Sequence, residues 1–252
     1  MELILPDWPA PDNVRAFSTL RIGGFSLPPY GDSNGGKGLN LGLHVGDDRE
    51  VVARNRALLR SKLPGEPAWL NQIHGAEVVD AAAVKGVPDA DASWTAVPGK
   101  VCIIMTADCL PVLFCTDDGK AVAAAHAGWR GLAGGVLQNT VRVLKAASDA
   151  EILAWMGPAI GPNAFEVGQD VKDVFAGIDP VMESAFVPEE GVPGKYMANI
   201  YQIARTVLSG LGVTAVYGGD RCTVSEPKAF YSFRRDNGVT GRMATGIWLS
   251  EK

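Results

Sequence analysis

The chain has 252 residues, of which 47% are hydrophobic and 20% are charged, and its formal net charge at pH 7 is −5. A chain of this length and composition can bury a full core, so we expect one soluble globular domain over residues 1–252. No Lys/Arg stripe marks a nucleic-acid partner, and neither a bilayer-spanning apolar run nor a secretory signal pattern is found. We therefore expect a cytoplasmic protein that has no nucleic-acid or membrane partner and no obligate protein partner.

The first third of the chain combines a long polar loop with one amphipathic helix. Residues 14–46 predict a short strand and then a glycine-rich loop that contains DSNGGKG, and loops of this length often carry function. The following stretch, DREVVARNRALLRSKL, has apolar residues at helical spacing, and Asp47 is its predicted N-cap. After it, AWLNQIHGAEVVDA predicts two short strands separated by a polar break that contains His74.

The remaining elements alternate between hairpins and helices. VCIIMTADCLPVLFCTDDGKAVAAAHAG has the pattern of one β-hairpin, in which DDGK joins two apolar arms and Pro111 kinks the first arm. A helix is predicted directly after it in GLAGGVLQNTVRVLKAAS, followed by strand ILAWMGPAIG, helices QDVKDVFAGI and NIYQIARTVLSGLG, and strand TAVYGG. KAFYSFRRDNGVTGRMATGIWLS predicts two aromatic-rich strands around an Asn-Gly turn. This mixture favours an α+β fold with mixed sheets over a doubly wound parallel one.

Histidine is scarce in this chain, which contains only His44, His74 and His126. If DDGK is a four-residue loop, His126 pairs with Pro111, and Cys109 becomes its diagonal neighbour on the same face of the sheet. His74 lies in the polar break between the two short strands predicted in AWLNQIHGAEVVDA. A His, Cys, His set can bind zinc and leave one position open, although a cysteine packed in the core and hydrogen-bonded histidines are the plainer interpretation.

Arginines in two stretches are candidates for binding an anion. GWRG at 128–131 lies at a predicted strand-to-helix junction, where open backbone N–H groups and the Arg130 guanidinium would favour an anion. The alternative is a tight turn with a solvated arginine. Arg234, Arg235 and Arg242 gather in YSFRRDNGVTGR, and they would add phosphate contacts if this segment folds toward the same place. Otherwise they are solvated or form structural ion pairs.

Several longer stretches together resemble one known family almost end to end. They are FSTLRIGGFSLPPY, NLGLHVGDD, NQIHGAEV, TADCLPVLF, AAHAGWRGLAGGV, MGPAIGPNAFEVG, and CT with FYSFRRD and TGRMATGIWL. The family is that of the purine nucleoside phosphorylases and adenosine deaminases formerly described as laccase-like multicopper polyphenol oxidases. The resemblance implies that His74, Cys109 and His126 are both the zinc ligands and the catalytic residues. It also implies a fold similar to the deamidase domain of cytotoxic necrotizing factor, a mixed β-sandwich with flanking helices.

Substrate contacts are less closely tied to the family pattern. We take Asn40 in the matching NLGLHVGDD stretch, together with Arg130, Arg234 and Arg235, as the candidate substrate-binding residues. The chain departs from the family pattern at DSNGGKG, at Asn163-Ala164 and at YMAN, and none of these departures touches the three ligands.

The resemblance implies a zinc-dependent purine nucleoside phosphorylase with adenosine deaminase activity. Its expected partners are phosphate and the nucleosides adenosine, inosine, guanosine and methylthioadenosine. Three alternatives remain. Cys109 and His126 would serve a metal-free cysteine hydrolase that acts on cell-wall precursor peptides. A copper-dependent polyphenol oxidase is less favoured. A single blue-copper site already uses two His and one Cys, so only one histidine would remain to bind every other copper ion of a multicopper site. Any bound copper would therefore be adventitious. The last alternative is a non-catalytic metal-binding module.

Overall fold

The computed structural model describes residues 1–251, and β-strands make up most of its framework. The strands are β1 (Leu3–Ile4), β2 (Val14–Thr19), β3 (Ile22–Ser26), β4 (Pro67–Ala68), β5 (Val78–Asp80), β6 (Ala92–Thr95), β7 (Val101–Thr106), β8 (Leu110–Thr116), β9 (Val122–Ala127), β10 (Ile152–Met156), β11 (Glu166–Gly168), β12 (Phe186–Pro188), β13 (Lys195–Ala198), β14 (Ala215–Gly218) and β15 (Met243–Leu249). The helices are α1 (Arg49–Arg60), α2 (Trp129–Gly134), α3 (Val136–Ala147), α4 (Gln169–Ile178) and α5 (Ile200–Gly210), and Pro180–Ala185 forms a 3-10 helix.

Two larger sheets pack face to face. The five-stranded sheet has the order β1-β2-β15-β7-β4, and the six-stranded sheet has the order β14-β10-β8-β9-β6-β5; β11-β13-β12 form a smaller third sheet. Leu113 of the six-stranded sheet packs in one buried cluster with Ile104 and Ile247 of the five-stranded sheet. On the opposite face of the six-stranded sheet, Phe114 packs in a cluster with Leu137 of α3. Because both faces of β8 and β9 are covered, these strands are apolar runs rather than alternating ones.

Helices flank this pair of sheets on both outer sides. Leu59 of α1 packs with Phe17 and Ile103 on the outer face of the five-stranded sheet, and α3 and α5 cover the six-stranded one. Both larger sheets contain parallel and antiparallel pairs. The predicted α+β fold with mixed sheets, a sandwich and flanking helices is therefore confirmed.

Within residues 1–251 no helix has both the length and the apolar character that a membrane span requires.

The predicted hairpin register is confirmed, but its first arm is not one strand. β8 and β9 pair antiparallel with Pro111 opposite His126. Residues 101–106, however, form β7 in the five-stranded sheet, and the chain crosses to the six-stranded sheet through residues 107–109. The break therefore precedes Pro111 and lies at Asp108, whose φ is 89°. Asp108 interrupts the apolar pattern there, but a short polar break does not show whether the chain stays in one sheet or crosses to another.

The helix boundaries differ from the prediction at two places. The N-cap of α1 is Asp48, whose carboxylate accepts the N–H groups of Glu50 and Val51. Asp47 instead accepts the Ser26 hydroxyl at 2.6 Å. The helix predicted after the hairpin is confirmed, but Gly135 at φ 92° divides it into α2 and α3.

The predicted C-terminal hairpin has only its second strand, β15. Residues 219–242 form turns and irregular backbone around an isolated bridge at Cys222. Buried polar anchors hold this segment: Tyr231 and Ser232 are fully buried, and the Ser232 hydroxyl donates to the Asp108 carboxylate at 3.0 Å. These anchors replace a strand ladder, and they bring the segment toward residues 107–109.

Candidate metal centre and its cavity

Three side chains from separate elements converge at one end of the sandwich. His74 lies in the loop between β4 and β5, Cys109 directly precedes β8, and His126 lies in β9. Their ligating atoms all lie within 4.8 Å of one another. Among residues 1–251, this is the one cluster of His, Cys, Asp or Glu side chains close enough together to hold a metal ion. Cys109 Sγ is 3.8 Å from His74 Nε2, and the two imidazole rings meet edge to face at a centroid distance of 4.8 Å. Two imidazoles and one thiolate are typical zinc ligands that leave a fourth position open.

The backbone at this site is held in an unusual conformation. Within residues 1–251, positive φ occurs at three non-glycine residues, and two of them are His74 at 61° and Asp108 at 89°. Left-handed backbone at such residues costs on the order of 1 kcal/mol or more, so surrounding contacts must hold it in place. Two buried aspartates provide these contacts.

Asp91 holds two of the three ligands at once. Its carboxylate is fully buried and accepts the Nδ1–H of His126 at 2.7 Å and the backbone N–H of His74 at 3.0 Å. It also accepts the N–H groups of Gly75 at 2.6 Å and Ile73 at 3.2 Å. With Nδ1 donating to Asp91, the His126 tautomer presents Nε2 as the ligand atom. Burial alone would raise the pKa of Asp91, but hydrogen bonds from His126 and the loop N–H groups outweigh it and lower the pKa.

Asp108 fixes the turn that presents Cys109. One carboxylate oxygen accepts the Thr223 hydroxyl at 2.6 Å, and the other accepts the Ser232 hydroxyl and the Arg234 backbone N–H at 2.7 Å. The C-terminal segment is thereby tied to the residue directly before the candidate ligand.

The sequence analysis identified neither aspartate. For Asp91 the available signal was a carboxylate directly before the apolar strand ASWT. For Asp108 it was a carboxylate directly before the candidate ligand Cys109.

The histidines of the centre favour the thiolate form of Cys109. Desolvation by itself raises the pKa of Cys109, but the charge and hydrogen bonds of His126 and His74 outweigh it and lower the pKa. Desolvation likewise lowers the pKa of His126, whereas the Cys109 thiolate and Asp91 raise it above its ordinary value. The thiolate is the form of cysteine that binds metal and the form that acts as a nucleophile.

The glycines of the GWRG stretch serve close packing. A Cβ added to Gly128 would lie 2.9 Å from Cys109 Sγ and 3.2 Å from His74 Cδ2, and one added to Gly131 would lie 3.1 Å from the Gly75 carbonyl oxygen. Since α2 has only six residues and neither glycine has a positive φ, close packing explains these glycines better than an anion site or the predicted tight turn.

A cavity of about 520 Å³ opens beside the three ligands. This volume is typical of small-molecule sites. Besides His74, Cys109 and His126, its wall includes His44, Asn71, Gln72, Met105, Asp108, the aromatic residues Trp129, Phe165 and Phe233, and the arginines Arg130, Arg234 and Arg242. None of these three arginines forms an ion pair with a carboxylate of residues 1–251.

Two of the predicted substrate-binding residues line this cavity. Arg130 is exposed, and its guanidinium lies 4.6 Å from the centroid of the Trp129 ring. Arg234 is also exposed and donates from both terminal nitrogens to the Glu166 carbonyl, at 3.0 and 3.1 Å. Both guanidinium groups therefore lie at the cavity, and their contact with a substrate stays a prediction.

The other two, Asn40 and Arg235, are not in the cavity wall. Asn40 is fully buried, and its side-chain oxygen accepts the Arg242 backbone N–H at 2.9 Å. The Arg235 guanidinium pairs with Asp236 at 2.8 Å and donates to the Thr223 and Phe230 carbonyl oxygens. These contacts give both residues a structural role.

The chain is similar to known proteins over nearly its full length. The family model for multi-copper polyphenol oxidoreductase laccase matches residues 15–250. The chain is 53% identical over 248 residues to a purine nucleoside phosphorylase of Pseudomonas aeruginosa, covering 98% of each chain. It is 51% identical over 254 aligned residues to the purine nucleoside phosphorylase YfiH of Escherichia coli, covering 98% of this chain and 99% of the relative.

Solved structures agree with these matches. Protein NMB0706 of Neisseria meningitidis superimposes with a TM-score of 0.90 at 50% identity and full coverage of both chains. YlmD of Geobacillus stearothermophilus gives a TM-score of 0.85 at 30% identity, covering 100% of this chain and 97% of the other. The chain therefore belongs to the laccase-like family that includes YfiH, as its motifs predicted.

Proposed function

We propose that this protein is a zinc-dependent purine nucleoside phosphorylase that also deaminates adenosine. Phosphorolysis converts a nucleoside and phosphate into the free base and ribose 1-phosphate. One observation carries the proposal: a His/Cys/His set lies in the wall of a nucleoside-sized cavity, and three arginines of the same wall form no ion pair with a carboxylate of residues 1–251. The names of the relatives at 53% and 51% identity support the phosphorylase assignment.

The residues present fit zinc better than a multicopper centre. His74, Cys109 and His126 would hold the ion, and the Asp91–His126 hydrogen bond is the carboxylate–imidazole contact that commonly orients a metal-binding histidine. Zinc with three protein ligands acts as a Lewis acid on the group that takes its open position. Copper oxidation at several ions would need more ligands than His44, the one remaining histidine.

The rest of the cavity wall suits a nucleoside and an anion. Phe165 and Trp129 provide apolar and aromatic surface for a purine base, and the guanidinium groups favour phosphate. The proposed substrates are adenosine, inosine, guanosine and methylthioadenosine. In phosphorolysis, a phosphate oxygen forms the bond to the ribose C1′ while the glycosidic C–N bond breaks and the base leaves with the electron pair. In deamination, water replaces the exocyclic amine, which leaves as ammonia.

A cysteine hydrolase is the second candidate, and a specific contact favours it. Cys109 lies against His126, which Asp91 orients through Nδ1. A nucleophile, a base and a residue that orients the base also make up hydrolytic triads. Such an enzyme would use the Cys109 thiolate directly on an amide, for example in a cell-wall precursor peptide, and it would not need zinc.

Chromatography of reaction mixtures separates the two candidates. Adenosine, inosine and guanosine are incubated with zinc-loaded protein, with and without phosphate, and the same protein is assayed after zinc removal. We expect free base and ribose 1-phosphate only with phosphate, inosine from adenosine without it, and loss of both reactions on chelation. The variant His126→Ala, which lacks one candidate ligand, is assayed beside the wild type. Nucleoside turnover by the wild type no faster than that of the variant would contradict the proposal. Amidase activity that survives chelation would support the hydrolase.

A further inference from the structure

Two residues of the cavity wall, His44 and Arg242, take no part in the candidate metal centre. They come from opposite ends of the chain, yet their segments are joined by two hydrogen bonds. The Leu41 backbone N–H donates to the Arg242 carbonyl at 3.2 Å, and the Arg242 N–H donates to the Asn40 side chain at 2.9 Å. The two segments are therefore fixed against each other, and the side chains of His44 and Arg242 line the same cavity.

The loop that carries His44 is further fixed on both sides. The Tyr30 hydroxyl donates to the Val45 carbonyl oxygen at 2.6 Å. A Cβ added to Gly42 would lie 2.9 Å from Cγ of Arg242, so the loop backbone packs directly on the arginine side chain. Because the backbone of this loop is already fixed, less conformational entropy is lost when a ligand binds here than in a mobile loop.

Arg242 has free hydrogen-bond donors, and it forms no ion pair with a carboxylate of residues 1–251. Its side-chain hydrogen bonds within residues 1–251 run from Nη1 to the carbonyl oxygens of Thr240 at 3.1 Å and Gly241 at 3.0 Å. Nε and Nη2 have no acceptor among these residues. Desolvation lowers the pKa of Arg242, and the more distant charges of Cys109, Asp108 and Tyr30 only partly offset it. A desolvated guanidinium is stabilised most by an anion that accepts two N–H groups.

The surroundings of His44 add to this positive character. Desolvation, followed by the charges of Arg242 and Arg56, lowers the pKa of His44. Arg56 lies behind the cavity wall, with its guanidinium 3.9 Å from the centroid of the Trp69 ring and its Nε donating to the Leu41 carbonyl at 2.9 Å. A neutral imidazole near pH 7 can donate one further hydrogen bond to an anion.

The other two arginines of the cavity are less suited to bind an anion tightly. Arg130 and Arg234 are exposed, and both terminal nitrogens of Arg234 already donate to the Glu166 carbonyl. His44 is exposed as well, whereas Arg242 is half-buried, so Arg242 would provide the main anion contact. Water and salt screen exposed charges, so contacts with them contribute less to affinity.

We propose that Arg242 and His44 form the principal phosphate-binding site of this cavity, with Arg130 and Arg234 in a secondary role. The inference rests on the proposed phosphorylase function, because it assigns the place of that reaction's phosphate. Phosphate would accept the free N–H groups of Arg242 and one N–H of His44.

Isothermal titration of zinc-loaded protein with inorganic phosphate tests the site without requiring turnover. We expect Arg242→Gln to weaken phosphate binding about 10- to 100-fold, the loss expected for a charge-assisted contact. Arg242→Lys keeps the charge but not the bidentate geometry, so its loss of phosphate affinity should be smaller than that of Arg242→Gln. His44→Asn should weaken phosphate binding about tenfold. Arg130→Gln and Arg234→Gln should each cost only a few-fold. Arg54→Gln is the matched control, because it removes one exposed positive charge outside the cavity.

Steady-state kinetics provide the second readout. In Arg242→Lys and His44→Asn the KM for phosphate should rise while the KM for inosine stays close to that of the wild type. The inference would be overturned if Arg242→Lys and His44→Asn bound phosphate as tightly as the control Arg54→Gln. It would also be overturned if Arg130→Gln or Arg234→Gln lost more phosphate affinity than Arg242→Gln. The proposed function fails separately: wild-type protein that binds phosphate through Arg242 but cleaves no nucleoside would refute the phosphorylase and support the site. Thermal unfolding of each variant identifies any loss caused by misfolding.

Discussion

Asp91 and His126 are joined by both side chain and backbone. The Asp91 carboxylate accepts the Nδ1–H of His126 at 2.7 Å, and the His126 backbone N–H donates to the Asp91 carbonyl oxygen at 2.7 Å. Since the same carboxylate holds the His74 loop, it positions two candidate ligands that are 52 residues apart in the sequence. A metal centre of this kind depends on its supporting residues as much as on its ligands.

Substituting Asp91→Asn should therefore weaken zinc binding by about 10- to 100-fold, the usual effect of losing such a support. Zinc affinity is measured by competition with a chromophoric chelator, and circular dichroism confirms that the variant folds. Asp89→Asn is the matched control, because Asp89 is exposed and its carboxylate accepts a hydrogen bond from Asn71 rather than from the ligands. If both variants held zinc equally well, Asp91 would have no role in orienting the ligands.

Cys109→Ala should abolish zinc binding, because the thiolate neutralises much of the ion's charge. Native mass spectrometry should find about one zinc per wild-type chain and none in the variant. Cys222→Ser provides the control, since Cys222 is half-buried but does not line the cavity. Full zinc occupancy in Cys109→Ala would rule out this ligand set.

Features set by local spacing could be predicted from the sequence. The DDGK loop and the two-residue repeat of a strand fix the β8–β9 register, which places His126 opposite Pro111. The interpretation failed at residues 107–109 because a short polar break between two apolar runs fits a kink within one strand as well as a change of sheet. Asp91 and Asp108 were missed for a related reason: a buried carboxylate is recognised by its partners, and those partners are distant in sequence.

The arginines show the same limit. Arg130, Arg234 and Arg235 were equally good candidates for binding phosphate, since a sequence records the charge of an arginine but neither its burial nor its acceptors. In the structure Arg234 points to the cavity, whereas its neighbour Arg235 is surrounded by carbonyl oxygens and Asp236. Asn40 likewise supports the wall behind Arg242 instead of facing the cavity.

Gly128→Ala should damage the candidate metal centre without removing a ligand. The added methyl group would lie 2.9 Å from Cys109 Sγ, so the thiolate must shift, and we expect at least a tenfold loss of zinc affinity because ligand geometry tolerates displacements of only about 0.2 Å. Gly134→Ala is the control, since the nearest atom to its added Cβ is 3.9 Å away. Equal zinc affinity in the two variants would show that the backbone at Gly128 can relax.

Arg235→Ala should affect stability rather than phosphate binding. Its guanidinium donates to two carbonyl oxygens at 2.8 and 3.0 Å and pairs with Asp236, so its removal leaves buried acceptors unpaired. We expect a loss of about 2 to 4 kcal/mol in the free energy of unfolding, measured by urea denaturation.

The folded fraction of Arg235→Ala should keep a phosphate KM within about twofold of the wild type, whereas Arg234→Ala should raise the phosphate KM a few-fold with little change in stability. The pair of variants is informative because the two arginines are adjacent in the sequence and carry the same charge. A large rise of the phosphate KM in Arg235→Ala at unchanged stability would mean that its guanidinium leaves the carbonyl oxygens and reaches the substrate.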